Sequence, residues 1–333
     1  MLAGLEQAAG ALLVLIVLLD VFLTVLYARM GTGIVSYRLA RLTWKGLRRL
    51  SMHLGRHRGT ALSFCGPLVL VLLVAVWAVA LTCGAALIIH PTLGTSVTAN
   101  SGDTPTDFVT AMYTGGGSMS IVGSNDLTPR TSALKLLYLF DSLVGTSVLS
   151  LTLTYLMQVY TALHRRNVLG LKLDLLSGGT ADAAKLVAGL GPEGKFNSGY
   201  TNLADIAVEM TQVKESHHFY PVLFYFRFSD PYYAVSRFTL VALDTVTLIR
   251  SALDDQRYGW LKESASVAQL WQVSMLLVTT LENTFLPGGA PDRQDLPDMQ
   301  TQDRWRRRYV AALHRLRQAG IRTVADEQAG AET

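Results

Sequence analysis

Ser118-Met-Ser-Ile-Val-Gly-Ser-Asn-Asp-Leu-Thr-Pro129 is the stretch on which the reading of this chain turns. It is polar, follows a short run with helix-start signals, and lies between two long apolar segments. Leu62 to Ile89 gives 28 consecutive positions without Asp, Glu, Lys or Arg, and Ser142 to Leu163 gives 22. Both reach the ~20 residues that cross a bilayer. Between them, Thr104-Pro105-Thr106-Asp107 offers a Thr cap, a Pro at the first helical position and an acid at the third. That spacing predicts a helix over 105–114, ended by Gly115-Gly116-Gly117. Such a helix is too short to span, so it dips in and stops partway. Non-helical backbone at that depth is tolerated only where it is buried in protein or lines water.

The rest of the chain is consistent with a membrane protein. Its 333 residues are 50% hydrophobic and 16% charged, with a mean hydropathy of +0.30 and the apolar residues concentrated before residue 165. A third apolar run, Leu2 to Ala28, is interrupted only by Glu6 and Asp20. Asp20 is read in two ways: as a hydrogen-bond partner for another span, or as a residue handling ions or protons. The segment Arg29 to Thr60 contains Arg29, Arg38, Arg41, Lys45, Arg48, Arg49, Arg56 and Arg58 and no acid, which makes it cytoplasmic by the positive-inside rule. The N-terminus and residues 91–130 are then outside, and everything after His164-Arg165-Arg166 is inside. The expected location is the inner cell membrane, multi-pass, with a cytoplasmic C-terminus. Residues 1–10 have no Lys or Arg, so the first run reads as a permanent span rather than a signal peptide. Ile34 to Leu54 spaces leucines among basic residues as an interfacial helix would, suited to anionic lipids; the alternative is a solvated loop. Cys65 and Cys83 are five helical turns apart, roughly 27 Å along one helix, and cannot bond to each other.

The expected organisation is an N-terminal span over 1–28 and a basic linker over 29–60. A membrane module follows over 61–164, with helices at 62–89, 105–114 and 135–163 around the loop segment 118–126. A helical cytosolic domain over 165–286 comes next, and 287–333 holds a linker, a basic helix and a polar tail. Within the cytosolic part, Thr201–His217, Pro231–Leu253, Ala265–Phe285 and Thr301–Gly320 carry helical periodicity. Gly189-Leu-Gly-Pro-Glu-Gly194 matches the spacing of a dinucleotide-binding turn but lacks a preceding strand, so it reads as a helix-ending loop. Asp205, Glu209, Glu215, His217 and His218 form a polar cluster, better read as a solvated helix face or an interdomain contact than as a metal site. The sequence offers no catalytic set, no cofactor motif and no nucleic-acid signal, and the expectation is a protein that is not an enzyme.

Residues 104–163 resemble the pore module of the potassium channel family: a pore helix, a Val122-Gly123 core, then Asp126-Leu-Thr-Pro129 and an inner helix. The resemblance implies an all-α membrane protein of three transmembrane helices plus a re-entrant pore helix and filter loop. It implies a selectivity filter at Ile121, Val122, Gly123, Ser124 and Asn125, an outer mouth at Asp126, a pore-helix end at Ser118 and Ser120, and a gating hinge at Gly145. It also implies a homotetramer and a permeant monovalent cation, K+, at the filter. Ile121, Ser124 and Asn125 depart from the family's Thr-Val-Gly-Tyr-Gly strand, removing a coordinating hydroxyl, an aromatic brace and a flexible glycine. The functional expectation is passive cation conduction with weakened selectivity; the alternative is a non-conducting membrane scaffold or sensor that keeps the channel fold.

Overall fold

A computed structural model of the protein describes residues 1–27, 33–121, 123, 126–285 and 298–325. The expected linker at 286–291 and nearly all of the polar tail lie outside the described residues. Three helices among those described are long and apolar enough to cross a membrane. The chain is a helical membrane protein. The first helix, α1 (Leu2–Val21), continues through a π-turn at Phe22–Leu26. After α2 (Ser36–Ser51) and the short α3 (Arg58–Ser63) comes α4 (Cys65–Ile89), which begins three residues later than the expected 62. Strand β1 (Val97–Ala99), helix α5 (Phe108–Met119) and strand β2 (Leu127–Pro129) lead to α6 (Ser132–Leu176). The inner helix expected over 135–163 is thus longer at both ends. It runs 45 residues, about 68 Å at 1.5 Å per residue. No proline interrupts it, and beyond residue 163 Leu169 and Leu173 are buried among apolar neighbours.

The chain divides into two compact units, Met1–Thr161 with His218–Phe226, and Ala162–His217 with Arg227–Thr333. The first unit is built on α1 and α4, which pack so closely that a Cβ on Gly10 would lie 2.5 Å from the Gly84 carbonyl oxygen. Small residues at a crossing are the usual way for membrane helices to gain van der Waals contact without a hydrophobic driving force. Asp20, fully buried, knits this unit together. Its Oδ1 accepts from Val35 N (2.8 Å), Ser36 N (3.4 Å) and Ser36 Oγ (3.2 Å), and its Oδ2 accepts from Trp77 Nε1 (2.8 Å). A carboxylate on α1 therefore caps the first turn of α2 and bonds to α4, the hydrogen-bonding role read as one of the two possibilities for this acid. Within Ile34–Leu54, where an interfacial helix is expected, the structure has the helix α2. It buries Ser36, Ala40 and Ser51 and leaves Leu42 and Leu50 exposed. The aromatic segment after residue 217 packs within this unit: the rings of Tyr220, Tyr225 and Phe226 meet Tyr155, Trp44 and Tyr160.

The second unit is all helix: α7 (Ala183–Leu190), most of α8 (Asn197–Phe219), α9 (Val235–Ala252), α10 (Asp255–Lys262), α11 (Ala265–Phe285) and α12 (Met299–Gln318). Asp182, Asp254 and Asp298 cap α7, α10 and α12 by accepting from backbone N–H groups two or three residues on. Leu203, Ile206, Met210, Phe238, Val246 and Leu270 line the shared core. At Gly189, Gly191 and Gly194, helix α7 ends and a single 3-10 turn leads toward α8, so the glycines sit between two helices rather than after a strand. The polar cluster is not gathered around a point. Glu209 pairs with Lys172 (2.8 Å), Glu215 with Lys214 (3.3 Å), and His217 is buried with its Nδ1–H donated to Val213 O (2.8 Å). Among the described residues, no group of three or more His, Cys, Asp and Glu is placed to hold a metal ion.

Candidate functional site in the loop between the second and third spans

Two three-residue strands close the loop at its base. β1 and β2 pair antiparallel with Val97 opposite Pro129 and Ala99 opposite Leu127. Asn100 N donates to Asp126 O (3.0 Å), and Arg130 N to Ser96 O (2.8 Å). Everything from residue 101 to 125 is an excursion that returns to its starting point.

The helix in this excursion is shifted from the expected 105–114 to Phe108–Met119. Its cap is Asp107, which accepts from Thr110 N (3.0 Å) and Thr110 Oγ1 (2.7 Å); these bonds, the hydroxyl's first, hold the Asp107 carboxyl below its ordinary range. Thr104, expected as the cap, turns its hydroxyl to Ala99 N instead (2.9 Å). Gly115, Gly116 and Gly117 do not stop the helix but lie inside it. A Cβ on Gly115 would be 2.8 Å from Ala86 N, and one on Gly116 would be 3.2 Å from Thr82 Cγ2. The glycines let α5 lie directly on α4, and that packing offsets the ~1 kcal/mol each costs a helix interior.

The far end of α5 meets α6. Ser118 Oγ, buried, lies 2.9 Å from Gly115 O and 3.1 Å from Asp141 Oδ2, with Asp141 only 2% exposed. Gly145 is pressed against the last turn of α5: a Cβ there would sit 1.8 Å from Met119 O. Helix α6 continues unbroken through this position, so the glycine is required for close approach. Residues 141 and 145 lie nine and thirteen positions into α6, about 14 and 20 Å along its axis. The C-terminal end of α5 therefore meets α6 about 14 to 20 Å from the first residue of that helix.

From there the chain turns back. Ser120 Oγ is 3.2 Å from Gly117 O, and Gly123 N donates to Ser120 Oγ (3.2 Å). Ile121 is 72% exposed, and Gly123 has φ of +71°, in the region that glycine occupies freely. Val122, Ser124 and Asn125 lie outside the described residues. Tyr113 donates its hydroxyl to Asp126 Oδ2 (3.0 Å), tying the middle of α5 to the returning strand. Of the residues singled out from sequence, Ser118 and Gly145 come together with Met119 at the inner end of α5, while Asp126 stands at the hairpin. Tyr113 and Asp141 were not foreseen. For Asp141 the signal existed: it is a lone acid at the edge of an apolar run, the same reasoning that marks Asp20.

Within residues 101–126 the charges are one-signed, and a base stands at the hairpin, where Arg130 Nε donates to Thr98 Oγ1 (2.8 Å). No Lys or Arg occurs from residue 59 to 129, whereas Asp103, Asp107 and Asp126 do, and residues 136–163 add Asp141 and no base. Negative side chains and the negative end of α5, whose dipole runs from the hairpin inward, both favour a cation.

No family model matches the chain, and no solved structure matches it. A protein of Bacillus subtilis (strain 168) with the name "Uncharacterized membrane protein YdjJ" is 24% identical over 249 residues, 74% of this chain and 70% of that protein. The chain is similar to a membrane protein over most of both lengths.

Proposed function

We propose that the protein is a potassium-channel-like pore, a homotetramer that passively conducts monovalent cations through the loop between α4 and α6. The observation that carries this reading is depth. A capped helix leaves a hydrogen-bonded hairpin, packs on α4, ends beside Asp141 and Gly145 about 14 to 20 Å along α6, and the chain then returns to the same hairpin. Backbone that reverses at such a depth must be enclosed by protein or face water, and a water-lined path is the arrangement that uses it.

One loop cannot encircle an ion, so symmetry mates are required. In α6 only 17% of the most apolar stretch is buried, against 39% in α4, and Leu139, Leu143, Leu149, Leu153 and Met157 are exposed, which suits a helix waiting for copies of itself. Ile121 to Asn125 form the narrow part in this reading, with Asp126 at the outer mouth and K+ the leading permeant ion. Hydrogen bonds hold the loop at Ser120 and at Asp126, but the residues between lack the family's hydroxyl and aromatic brace, and discrimination against Na+ is weak. The basic face of α2, with Arg38, Arg41 and Lys45 beside Tyr37, faces anionic lipid at the cytoplasmic surface of the inner membrane. The C-terminus is on that same side.

Single-channel recording of purified protein in a bilayer, K+ on one side and Na+ on the other, tests this. Cation currents reversing near zero support the reading. Reversal near the potassium equilibrium potential keeps the pore but rejects weak selectivity. Silence from an intact tetramer rejects conduction and leaves the scaffold or sensor; a protein that is only monomeric in native nanodiscs removes the pore altogether.

A further inference from the structure

Asp141 is an acid buried in a span and served by very little. Among the described residues its one hydrogen-bond partner is Ser118 Oγ at 3.1 Å. No Lys or Arg occurs in residues 59–129 or 136–163, and Lys135, on the same helix, is exposed on a different face more than a turn away. Among the groups packed around it, Tyr138 is the titratable neighbour on its own helix. The end of α5 brings Ser118 and Met119, and the groove beside Phe140 and Val144 brings Leu18, Val21 and Phe22 from α1. An ionised carboxylate buried in this way is costly without a counter-charge, and none of the described residues forms an ion pair with Asp141.

The hydrogen count makes the site two-state. Ser118 has one hydroxyl proton and two acceptors within reach, Gly115 O and Asp141 Oδ2. When Asp141 is ionised, Ser118 donates to it. When Asp141 carries a proton, it donates to Ser118 Oγ, and Ser118 donates to Gly115 O; the site loses one negative charge and the hydroxyl dipole at the end of α5 reverses. That end is where the loop residues begin, and its own dipole also draws a cation.

We propose that Asp141 is a positioning and charge-setting residue of the pore, acting on the permeant cation through Ser118 and the inner end of α5. This rests on the conduction reading above. The counter-charge missing from the helices is the conducted cation, and four copies of the carboxylate around the axis set both the preference for cations over anions and the unit conductance.

The test compares wild type, Asp141→Asn, Asp141→Glu and Ser118→Ala in planar bilayers under a KCl gradient, from mildly alkaline to mildly acid pH. Asp141→Asn is expected to lower unit conductance roughly threefold or more, to shift the reversal potential toward that of chloride, and to abolish the fall in current that wild type shows on acidification. Asp141→Glu restores all three. Ser118→Ala keeps the cation preference but moves the pH profile. A merely structural role reduces the number of folded channels and leaves the reversal potential of each unchanged. Wild-type conductance, preference and pH profile in Asp141→Asn overturn the proposal. Should wild type pass no current, the conduction reading fails by itself, and melting temperature in KCl against N-methylglucamine chloride decides the rest. Stabilisation by K+ that is lost in Asp141→Asn retains a cation site at Asp141; equal or absent stabilisation in the two proteins overturns it.

Discussion

Asp20 and Asp141 are the same side chain in the same kind of place, each 2% exposed or less within an apolar helix, and they are treated in opposite ways. Asp20 receives four hydrogen bonds from three different donors' residues: two backbone N–H groups, a hydroxyl and an indole. Asp141 shares one hydroxyl with a backbone carbonyl. Burial alone therefore does not distinguish the two acids. The number of donors does, since a saturated carboxylate has its charge dispersed over fixed dipoles, and an undersupplied one does not.

The isosteric amides give the largest contrast. In Asp20→Asn, the new NH2 must face either Trp77 Nε1–H or the N–H groups of Val35 and Ser36, so a donor meets a donor in both orientations. A loss of about 4 kcal/mol is expected. In Asp141→Asn, the amide satisfies Ser118 either way, and stability should change by less than about 1 kcal/mol. Thermal and denaturant unfolding of the two variants in one detergent measures this, and equal losses would break the comparison.

His217 carries the comparison out of the spans. Burial pushes its imidazole down from an ordinary 6.5 to about 4, against the pull of its bond to Val213 O. Folded, it stays neutral; the unfolded chain takes up the proton below about pH 6.5. Its contribution is thus complete above that pH and is lost as pH falls toward 4, on the order of 3 kcal/mol in all. Replacing His217 with Gln should flatten that part of the stability profile; an unchanged slope between those limits would show that other groups set it.

Gly145→Ala probes the packing beside Asp141. The added methyl falls on Met119 O, and a cost of about 2 kcal/mol is expected, together with a shift of the α5 end visible as changed amide exchange at Ser118 and Met119. A neutral substitution would mean that α6 and α5 separate readily, which favours bending at this glycine over a fixed contact. A smaller and local effect is expected for Asp107→Ala, which removes the side-chain cap of α5. Faster amide exchange confined to Val109 and Thr110 checks it.

Much of the first unit could be read from the chain. The charge-free runs at 62–89 and 142–163 correspond to α4 and to part of α6, because matching a bilayer is an additive property of consecutive residues. The limits of α5 could not be read in the same way. Thr104-Pro105 is a good local start, but the Thr104 hydroxyl is taken by Ala99 N, and Gly115 to Gly117 stop a helix only when nothing lies close enough to need them. The hairpin of three-residue strands is too short for a periodic signal. Asp141 borders the uncharged run that starts at Ser142, yet it lies inside the helix.

What the sequence by itself determined is the solvent of each segment: apolar runs for lipid, a basic linker, capped amphipathic helices for the second unit. Each of these depends on residues next to one another. Tertiary structure alone decided which acid is satisfied and where glycine is compelled, because the partners are remote along the chain. Trp77 is 57 residues from Asp20, and Asp141 is 23 from Ser118. A hydrogen bond or a backbone contact is short-ranged in space and indifferent to distance in sequence, so its presence is known only once the helices have packed.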